Sequence, residues 1–296
     1  MRFSLRQIEV FLATARLETL SQAAQSLAMS QSAASGALQD LESRYQTQLF
    51  DRIGKRLKIN ANGLELLPYA EALISQAYEL EHVIQSHEPG GVLRIGATLT
   101  IGNYMAIEII SRFKKDLPGV DASLHVANTQ AIANEVLKFE LDIGLIEGEF
   151  AHDDLTIIPW CEDELVVFCA PDHPLATLAS LDNNNLLQAD WILREQGSGT
   201  RQTFDRAMHG LQNELRVFLE LEHTEAIKRA VESGVGIGCL SKRALRDAFA
   251  SGRLVPLKTP GRDMRRTLYL IVHRQKHRSA ALSQWIRYCE AWQVNN

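Results

Sequence analysis

Three short stretches of small polar residues stand where a strand should end and a helix should begin. Thr98, Thr100 and Gly102 follow the apolar run at 92–97, Asn128, Thr129 and Gln130 follow 120–127, and Ser198, Gly199 and Thr200 open a helical pattern. A helix start offers free N–H groups and the positive end of the helix dipole, which favours an anion, and hydroxyls add donors without bulk. Arg194 and Arg201 flank the Gly197-Ser198-Gly199 turn and could neutralise such an anion; a surface ion pair is the competing explanation. Glu147, Thr224 and Glu225 stand at other strand or helix ends and could border the same cleft. Taken singly, each Ser or Thr reads as an ordinary N-cap. Their recurrence at strand ends points to a pocket. With no aromatic-rich stretch nearby, the pocket suits a small oxyanion or a short carboxylate, such as sulfite, sulfate or a short organic acid.

Other chemistry finds less support. Cys161, Cys169, Cys239 and Cys289 are far apart and form no CxxC pair, so they read as small buried hydrophobes. His273 and His277 have no third ligand in view and are crowded by Arg274, Lys276 and Arg278, which disfavours a metal ion. Gly234-Val235-Gly236-Ile237-Gly238 follows a helix and enters a strand, the reverse of a dinucleotide-binding turn. Ser198 is not in a G-x-S-x-G nucleophile elbow. No cofactor is implied.

The elements that must hold these residues alternate. Strand patterns at 92–97, 120–127, 141–146, 155–160, 164–170, 191–194, 217–221, 236–240 and 268–273 are interleaved with helical ones around 102–116, 129–139, 201–210, 223–233, 241–250 and 279–292. Alternation of this kind predicts a mostly parallel sheet with covered faces, in two α/β units whose ligands sit at the carboxyl ends of strands. With 296 residues, 46% hydrophobic and 23% charged, the chain can bury a sizeable core and is neither collagen-like nor wholly disordered. Its longest apolar runs are strand-sized, and residues 1–7 carry charge without the apolar core of a secretory leader, so a cytoplasmic protein is expected.

The first 60 residues differ in texture. They carry +3 within a chain of net −5, while residues 61–90 hold five Glu and no Lys or Arg. A basic head on an acidic body suggests a module that faces nucleic acid. Leu5, Ile8, Phe11, Leu12 and Ala15 share one helical face. Ser21 is a plausible N-cap for a second helix with Ala23, Ala24 and Leu27, and Ser30 for a third with Ala34, Leu38 and Leu41. Two short helices around the Ala28-Met29-Ser30 turn have the form of a helix-turn-helix. Residues 49–59 read as a basic hairpin, a wing, turning at Ile53-Gly54-Lys55. From 60 to 87 a heptad seam of Leu66, Ala70, Leu73, Ala77, Leu80 and Ile84 predicts a dimerising helix, or else a helix lying on its own domain. Glu88-Pro89-Gly90-Gly91 then marks a hinge.

These motifs together resemble a known family. Leu5-Arg6-Gln7-Ile8-Glu9-Val10-Phe11, Ser21-Gln22-Ala23-Ala24, Ser30-Gln31-Ser32-Ala33-Ala34-Ser35, Leu41-Glu42 and Leu49-Phe50-Asp51-Arg52 resemble the N-terminal domain of LysR-type transcriptional regulators. Asp142-Ile143-Gly144-Leu145-Ile146-Glu147-Gly148 and residues 191–201 are similar to the family's effector-binding region. Thr100-Ile101-Gly102-Asn103-Tyr104 with the Gly-Ser-Gly turn looks most like members regulating sulfur or carbon assimilation.

The resemblance implies a winged helix-turn-helix over 1–60, a linker helix and hinge over 61–90, and two α/β subdomains of periplasmic-binding-protein type. The first would comprise 91–161 with 267–296, the second 162–266. It also implies a homodimer or homotetramer that binds double-stranded promoter DNA, responds to a small anionic effector and contacts RNA polymerase. On the third helix Gln31 can present its amide to adenine, Ser30, Ser32 and Ser35 can donate to bases or phosphates, and Gln39 can reach the backbone. Arg52, Lys55 and Arg56 on the wing would bind phosphate or enter a minor groove. Ala34 and Gly36 depart from the bulkier residues common in that helix. The rival, an enzyme on the same fold, needs a nucleophile with a base or a carboxylate pair in the cleft, and none can be nominated. A transported solute receptor would need a leader peptide.

Overall fold

Ser4 fixes the start of α1 (Leu5–Leu17) through a capping box, its hydroxyl accepting from the Gln7 N–H while the Gln7 side chain accepts from the Ser4 N–H. This is a computed structural model describing residues 2–86 and 91–295. Ile8, Val10, Phe11, Leu12 and Ala13 are buried on α1, whereas Leu5 is half exposed in the first turn. The buried face is wider than the sequence stripe because several helices cover it. The second helix, α2 (Leu20–Ser26), starts earlier than Ser21 would place it: Thr19 is its cap, with Oγ1 accepting from the Gln22 N–H. Ala28 turns the chain with φ 51°, and Ser30 caps α3 (Gln31–Tyr45). Ala23, Ala24 and Ala34 are buried, small enough for α2 and α3 to approach closely.

The basic hairpin forms as β1 (Phe50–Ile53) and β2 (Arg56–Ile59), antiparallel, with Gly54 at φ 61° in the turn. The Leu57 N–H donates to the Glu18 carbonyl, tying the hairpin to the end of α1. The long helix α4 (Ala61–Ser86) divides the heptad seam in two. Leu66, Ala70 and Leu73 pack into the head's own core, whereas Leu80 and Ile84 are more than 60% exposed with Val83 beside them. The first half of the seam is thus satisfied within the chain. Residues 87–90, most of the expected hinge, lie outside the described residues.

Beyond α4 the body runs β3 (Gly91–Thr98), α5 (Leu99–Ile101), a π-helical turn at Gly102–Ala106, α6 (Ile107–Asp116), β4 (Val120–Ala127), α7 (Thr129–Leu137) and β5 (Ile143–Glu147). It continues through β6 (Leu155–Cys169), α8 (Asn183–Gln188), β7 (Asp190–Arg194), α9 (Gly199–Ala207), β8 (Arg216–Leu221), α10 (Thr224–Glu232), β9 (Ile237–Ser241), α11 (Lys242–Ala250), β10 (Val255–Leu257), β11 (Arg265–His273) and α12 (Ala280–Asn295). Among the described residues the strand order is β4-β3-β5-β11-β6-β9-β7-β8, with β10 also on β6.

The sheet is mixed rather than mostly parallel. Its wings are parallel, but β11 pairs antiparallel with β5 and β6, and β6 antiparallel with β9 and β10. The reason is the chain's two passes between its halves: β6 goes out and β11 comes back, necessarily in opposite directions. The strands expected at 155–160 and 164–170 are therefore one, β6, continuous across the polar Glu162-Asp163-Glu164. Short α8, with a run of three Asn, and β10, with Pro256, lie outside the strand and helix ranges expected from sequence. One core gathers Leu93, Phe113, Trp160, Leu268 and Trp285; the other gathers Leu165, Trp191, Phe204, Cys239 and Met264. All four cysteines are buried, and burial pushes the thiols up, Cys169 to about 11 and Cys161 and Cys239 to about 12. Among the described residues no helix is long and apolar enough to cross a membrane.

Candidate functional site

The head presents α3 by its outer face. Gln31, Ser32 and Gln39 are exposed, Ser35 is half-buried, and Ala34, Leu38 and Leu41 face the core. Ser30 does what a cap does: its Oγ accepts from the Ala33 N–H at 3.2 Å and lies 3.0 Å from the Ser32 Oγ. Arg52, Lys55 and Arg56 are exposed on the hairpin, with Arg56 3.3 Å from Glu18. A helix with a polar exposed stripe beside a cationic hairpin can lie in a major groove while the hairpin meets the phosphates.

In the body, strand ends and helix starts converge on a carboxylate belonging to the protein. Glu147, the last residue of β5, is 1% exposed. Its Oε1 accepts from the Thr98 hydroxyl at 2.9 Å and the Thr100 N–H at 2.7 Å; its Oε2 accepts from the Thr200 hydroxyl at 2.8 Å and Arg266 Nη1 at 2.9 Å. Burial alone would raise its pKa, but the charges of Arg266 and Arg194 and the donated hydrogen bonds outweigh it and hold the carboxyl at about 2. Arg266 is equally enclosed. Burial works against its charge, and Glu147 with Asp163, 2.7 Å away, overcomes that and raises it. Ser241 completes the group by donating to Asp163 at 2.8 Å.

Beside this cluster the backbones of the two halves touch. The Thr129 hydroxyl donates to the Glu147 carbonyl at 2.8 Å and accepts from the Gly199 N–H at 3.2 Å. Only glycine fits at 199, since a Cβ there would stand 1.9 Å from the Glu147 carbonyl oxygen. A cavity of about 260 Å³ opens next to the seam, lined by Thr129, Gln130, Phe150, Ser198, Gly199 and Gln202 among others.

The residues singled out in sequence thus separate into groups. Thr98, Thr100 and Thr200 surround Glu147, while Thr129, Gln130, Ser198 and Gly199 line the cavity. Asn128 is an ordinary cap, accepting from the Ala131 N–H, and Gly102 packs where a Cβ would collide with Val126. Arg201 is turned away into ion pairs with Asp205 and Glu220 and a bond to the Arg194 carbonyl, so the ion-pair explanation applies to it. Arg194 is 2% exposed and paired with Glu195, yet its charge still acts on Glu147. Thr224 is buried at the start of α10. Glu225 accepts from Tyr104 at 2.8 Å and Lys228 at 2.6 Å, bridging the halves. Sequence reasoning missed Arg266, Asp163 and Ser241. The available signal was the alternation at Arg265-Arg266, where one arginine of β11 faces out and the next faces in.

Known proteins resemble this chain over its whole length. Residues 5–64 match the family described as bacterial regulatory helix-turn-helix protein, lysR family, and residues 86–293 match the LysR substrate binding domain. The HTH-type transcriptional regulator YeiE of Escherichia coli (strain K12) is 44% identical over 290 residues, covering 98% of both chains. A probable RuBisCO transcriptional regulator of Cyanophora paradoxa is 33% identical over 94% of this chain and 89% of its own. A full-length OxyR variant from Pseudomonas aeruginosa superposes with a TM-score of 0.73 over 99% of this chain and 95% of its own at 19% identity, which speaks for the fold. The regulatory domain of CcmR from Synechocystis PCC6803, in complex with 2-PG, superposes with a TM-score of 0.64 at 30% identity, covering 70% of this chain and 98% of its own. A winged helix-turn-helix head, a linker helix and a two-part effector-binding body thus agree in sequence and in structure, and the chain belongs to the LysR family of DNA-binding transcriptional regulators.

Proposed function

We propose that this regulator reads a small anion in the cleft between its two subdomains, 91–161 with 267–296 and 162–266, and alters its grip on promoter DNA in response. The observation that carries the reading is Glu147: a fully buried carboxylate held by two hydroxyls, one backbone N–H and an arginine is itself an anion in an anion receptor. Two like charges about 4 Å apart repel by roughly 4 kcal/mol at an effective dielectric of 20, so an anionic effector must displace this carboxylate or reorient it. Displacement would hand Thr98, Thr100, Thr200 and Arg266 to the effector and release the cross-cleft contacts that Glu147 now makes. The neighbouring cavity, near 260 Å³, has room for a sulfur oxyanion or a short organic acid. Ligands of small-molecule size also occupy related domains, 2-PG in CcmR and shikimate in QuiR.

Relatives named as RuBisCO regulators support a carbon-assimilation setting for the target genes; the sulfur alternative rests on the resemblance of Thr100-Ile101-Gly102-Asn103-Tyr104 and the Gly-Ser-Gly turn. The working form is a cytoplasmic dimer of dimers, using the exposed half of the α4 seam, and it acts with RNA polymerase at the promoter. On DNA, Gln31, Ser32, Ser35 and Gln39 face the bases and nearby phosphates, while Arg52, Lys55 and Arg56 hold the backbone.

The test is a thermal-shift panel of sulfite, sulfate, phosphate and short carboxylates on the full chain, since a ligand at 100 times its Kd adds about 2.7 kcal/mol of stability. One class should raise the midpoint by several degrees and alter binding of a promoter fragment. A response untouched by Thr200→Val and Glu147→Ala would place the effector elsewhere.

A further inference from the structure

The strands that bring Thr98 and Glu147 to the cleft carry a second buried charge cluster at their other ends. Asp142, which leads into β5, accepts from the Arg94 N–H at 2.6 Å and from Arg94 Nη2 at 2.9 Å, and lies 2.7 Å from Lys276 Nζ. Glu71 on α4 joins the same cations, 3.3 Å from Arg94 and 3.4 Å from Lys276, and also pairs with Arg16 at the end of α1. Glu71 and Asp142 are 4% and 5% exposed. For both, burial opposes ionisation and the surrounding cations overcome it, lowering their pKa values. Phe139, in the turn that ends α7, sits in the apolar cluster of the head and α4 with φ 57°, an uncommon conformation for a bulky side chain. Its ring centroid lies 4.1 Å from that of His273, the planes tilted by 43°, with Lys276 Nζ 5.8 Å from the Phe139 centroid. Four segments distant in sequence, α1, α4, the β3–β5 pair and the turn after β11, therefore meet at one buried junction.

We propose that this junction is a latch seating the DNA-binding head on its own effector-binding domain, and that the cleft operates it through β3 and β5. The pairing allows this directly. β3 and β5 are parallel neighbours in register at Ile95 with Ile143 and Ala97 with Leu145, so both run from latch to cleft. Five residue steps separate Asp142 from Glu147, about 17 Å of extended chain. A shift of β5 that frees Glu147 at one end moves Asp142 at the other. Buried ion pairs tolerate little displacement, because a carboxylate left without its cations inside the protein is far less stable than a paired one. A cavity of about 390 Å³, lined by Glu9, Arg16, Glu71, Tyr78 and Arg94 among others, lies beside the cluster and gives Arg16 room to leave. The latch rests on geometry alone; its operation from the cleft rests on the effector reading above.

Hydrogen exchange read by mass spectrometry on the full chain tests both parts, and only the separation of transmission from the cleft assignment also uses the anion panel. In Glu71→Gln and Arg16→Met, exchange in peptides covering 10–18 and 137–145 should rise by roughly tenfold or more, while peptides covering 181–194 stay as in the unaltered protein and report that the chain is folded. Arg16, about a third exposed at its side chain, keeps the test available if Glu71→Gln perturbs folding. Unchanged exchange at 10–18 and 137–145 in both variants overturns the latch. In the cleft, Glu147→Gln should raise exchange at the same junction peptides in the otherwise unaltered chain and add nothing in the Glu71→Gln background. If Glu147→Gln changes the response to the anion panel but leaves the junction peptides as they were, transmission through the strands is refuted and the cleft assignment stands.

Discussion

On the outer face of α3, Gln31, Ser32 and Gln39 stand in solvent, whereas Glu147, Thr200 and Arg266 at the cleft are buried and hydrogen-bonded to one another. The head can keep open donors because water satisfies them until a duplex replaces it. The cleft cannot, since an unpaired charge inside the protein costs several kcal/mol, so its receptor is filled by the chain's own carboxylate. On the proposed reading, binding at the head would be addition, governed by charge and salt, and binding at the cleft would be exchange, in which a ligand must do better than Glu147. The two regions should answer substitution very differently, and the expected effects can be ranked.

Arg266→Met should have the largest effect. It leaves Glu147 and Asp163 without their shared cation, and breaking a buried pair in this way costs about 3–5 kcal/mol. For a body of this size that lowers the thermal midpoint by on the order of 10 °C. Adding Glu147→Gln to Arg266→Met should restore part of the loss, because one of the two stranded charges is gone. A single variant with an unchanged midpoint would mean that the cleft is no more preorganised than the head.

Acid titration sharpens the same contrast. Glu147 is depressed from 4.5 to about 2 in the folded protein, so the stability it contributes is present above pH 4.5 and is lost as pH falls from there towards 2. The shift corresponds to about 3 kcal/mol at 1.36 kcal/mol per unit. Denaturant unfolding followed from pH 6 to pH 3 should show Glu147→Gln with a flatter acid limb than the unaltered chain. Substituting Gln31 or Gln39 should leave that limb where it is.

The two regions also differed in how openly the sequence showed them. The head was legible almost to the residue, because local rules build it: alanines at a helix crossing, a serine cap on α3, a basic turn around Gly54. Where it departed, Thr19 is the cap rather than Ser21: its backbone is extended and its hydroxyl accepts from the Gln22 N–H, which leaves Ser21 inside the first turn. In the body, strand and helix positions were legible from periodicity, and so was the cluster of hydroxyls at strand ends. That Glu147 would occupy their centre was not. Nor was Arg266, which reaches the site from a strand 119 residues further along the chain. Long-range pairing of charges leaves almost no local trace, and the single long β6 was hidden because its acidic middle reads as a break.

Arg52→Ala with Arg56→Ala should act on the head alone. Both residues are exposed, and the Arg56–Glu18 pair on the surface contributes at most about 1 kcal/mol, so the thermal midpoint should barely move. Affinity for a promoter fragment should fall by roughly tenfold near 0.1 M salt, and the slope of log affinity against log salt should flatten by about 2 if both arginines neutralise phosphates. A loss of affinity with an unchanged slope would move the wing off the backbone.

Gly36→Ala should have the smallest effect, and it separates the needs of the fold from those of the duplex. Within α3, Gly36 lies one turn from both Ser32 and Gln39, on the stripe that they mark. A Cβ added there meets no heavy atom within 4 Å, so nothing in the head requires glycine. Alanine should then stabilise the helix by roughly 0.5–1 kcal/mol, raising the midpoint of the head by a few degrees. A glycine on this stripe would let a duplex come close to the backbone of α3. Promoter affinity should accordingly fall severalfold in Gly36→Ala with its salt slope unchanged, since a methyl group is added and no charge is lost. Full affinity in the stabilised variant would instead turn the reading face of α3 away from Gly36.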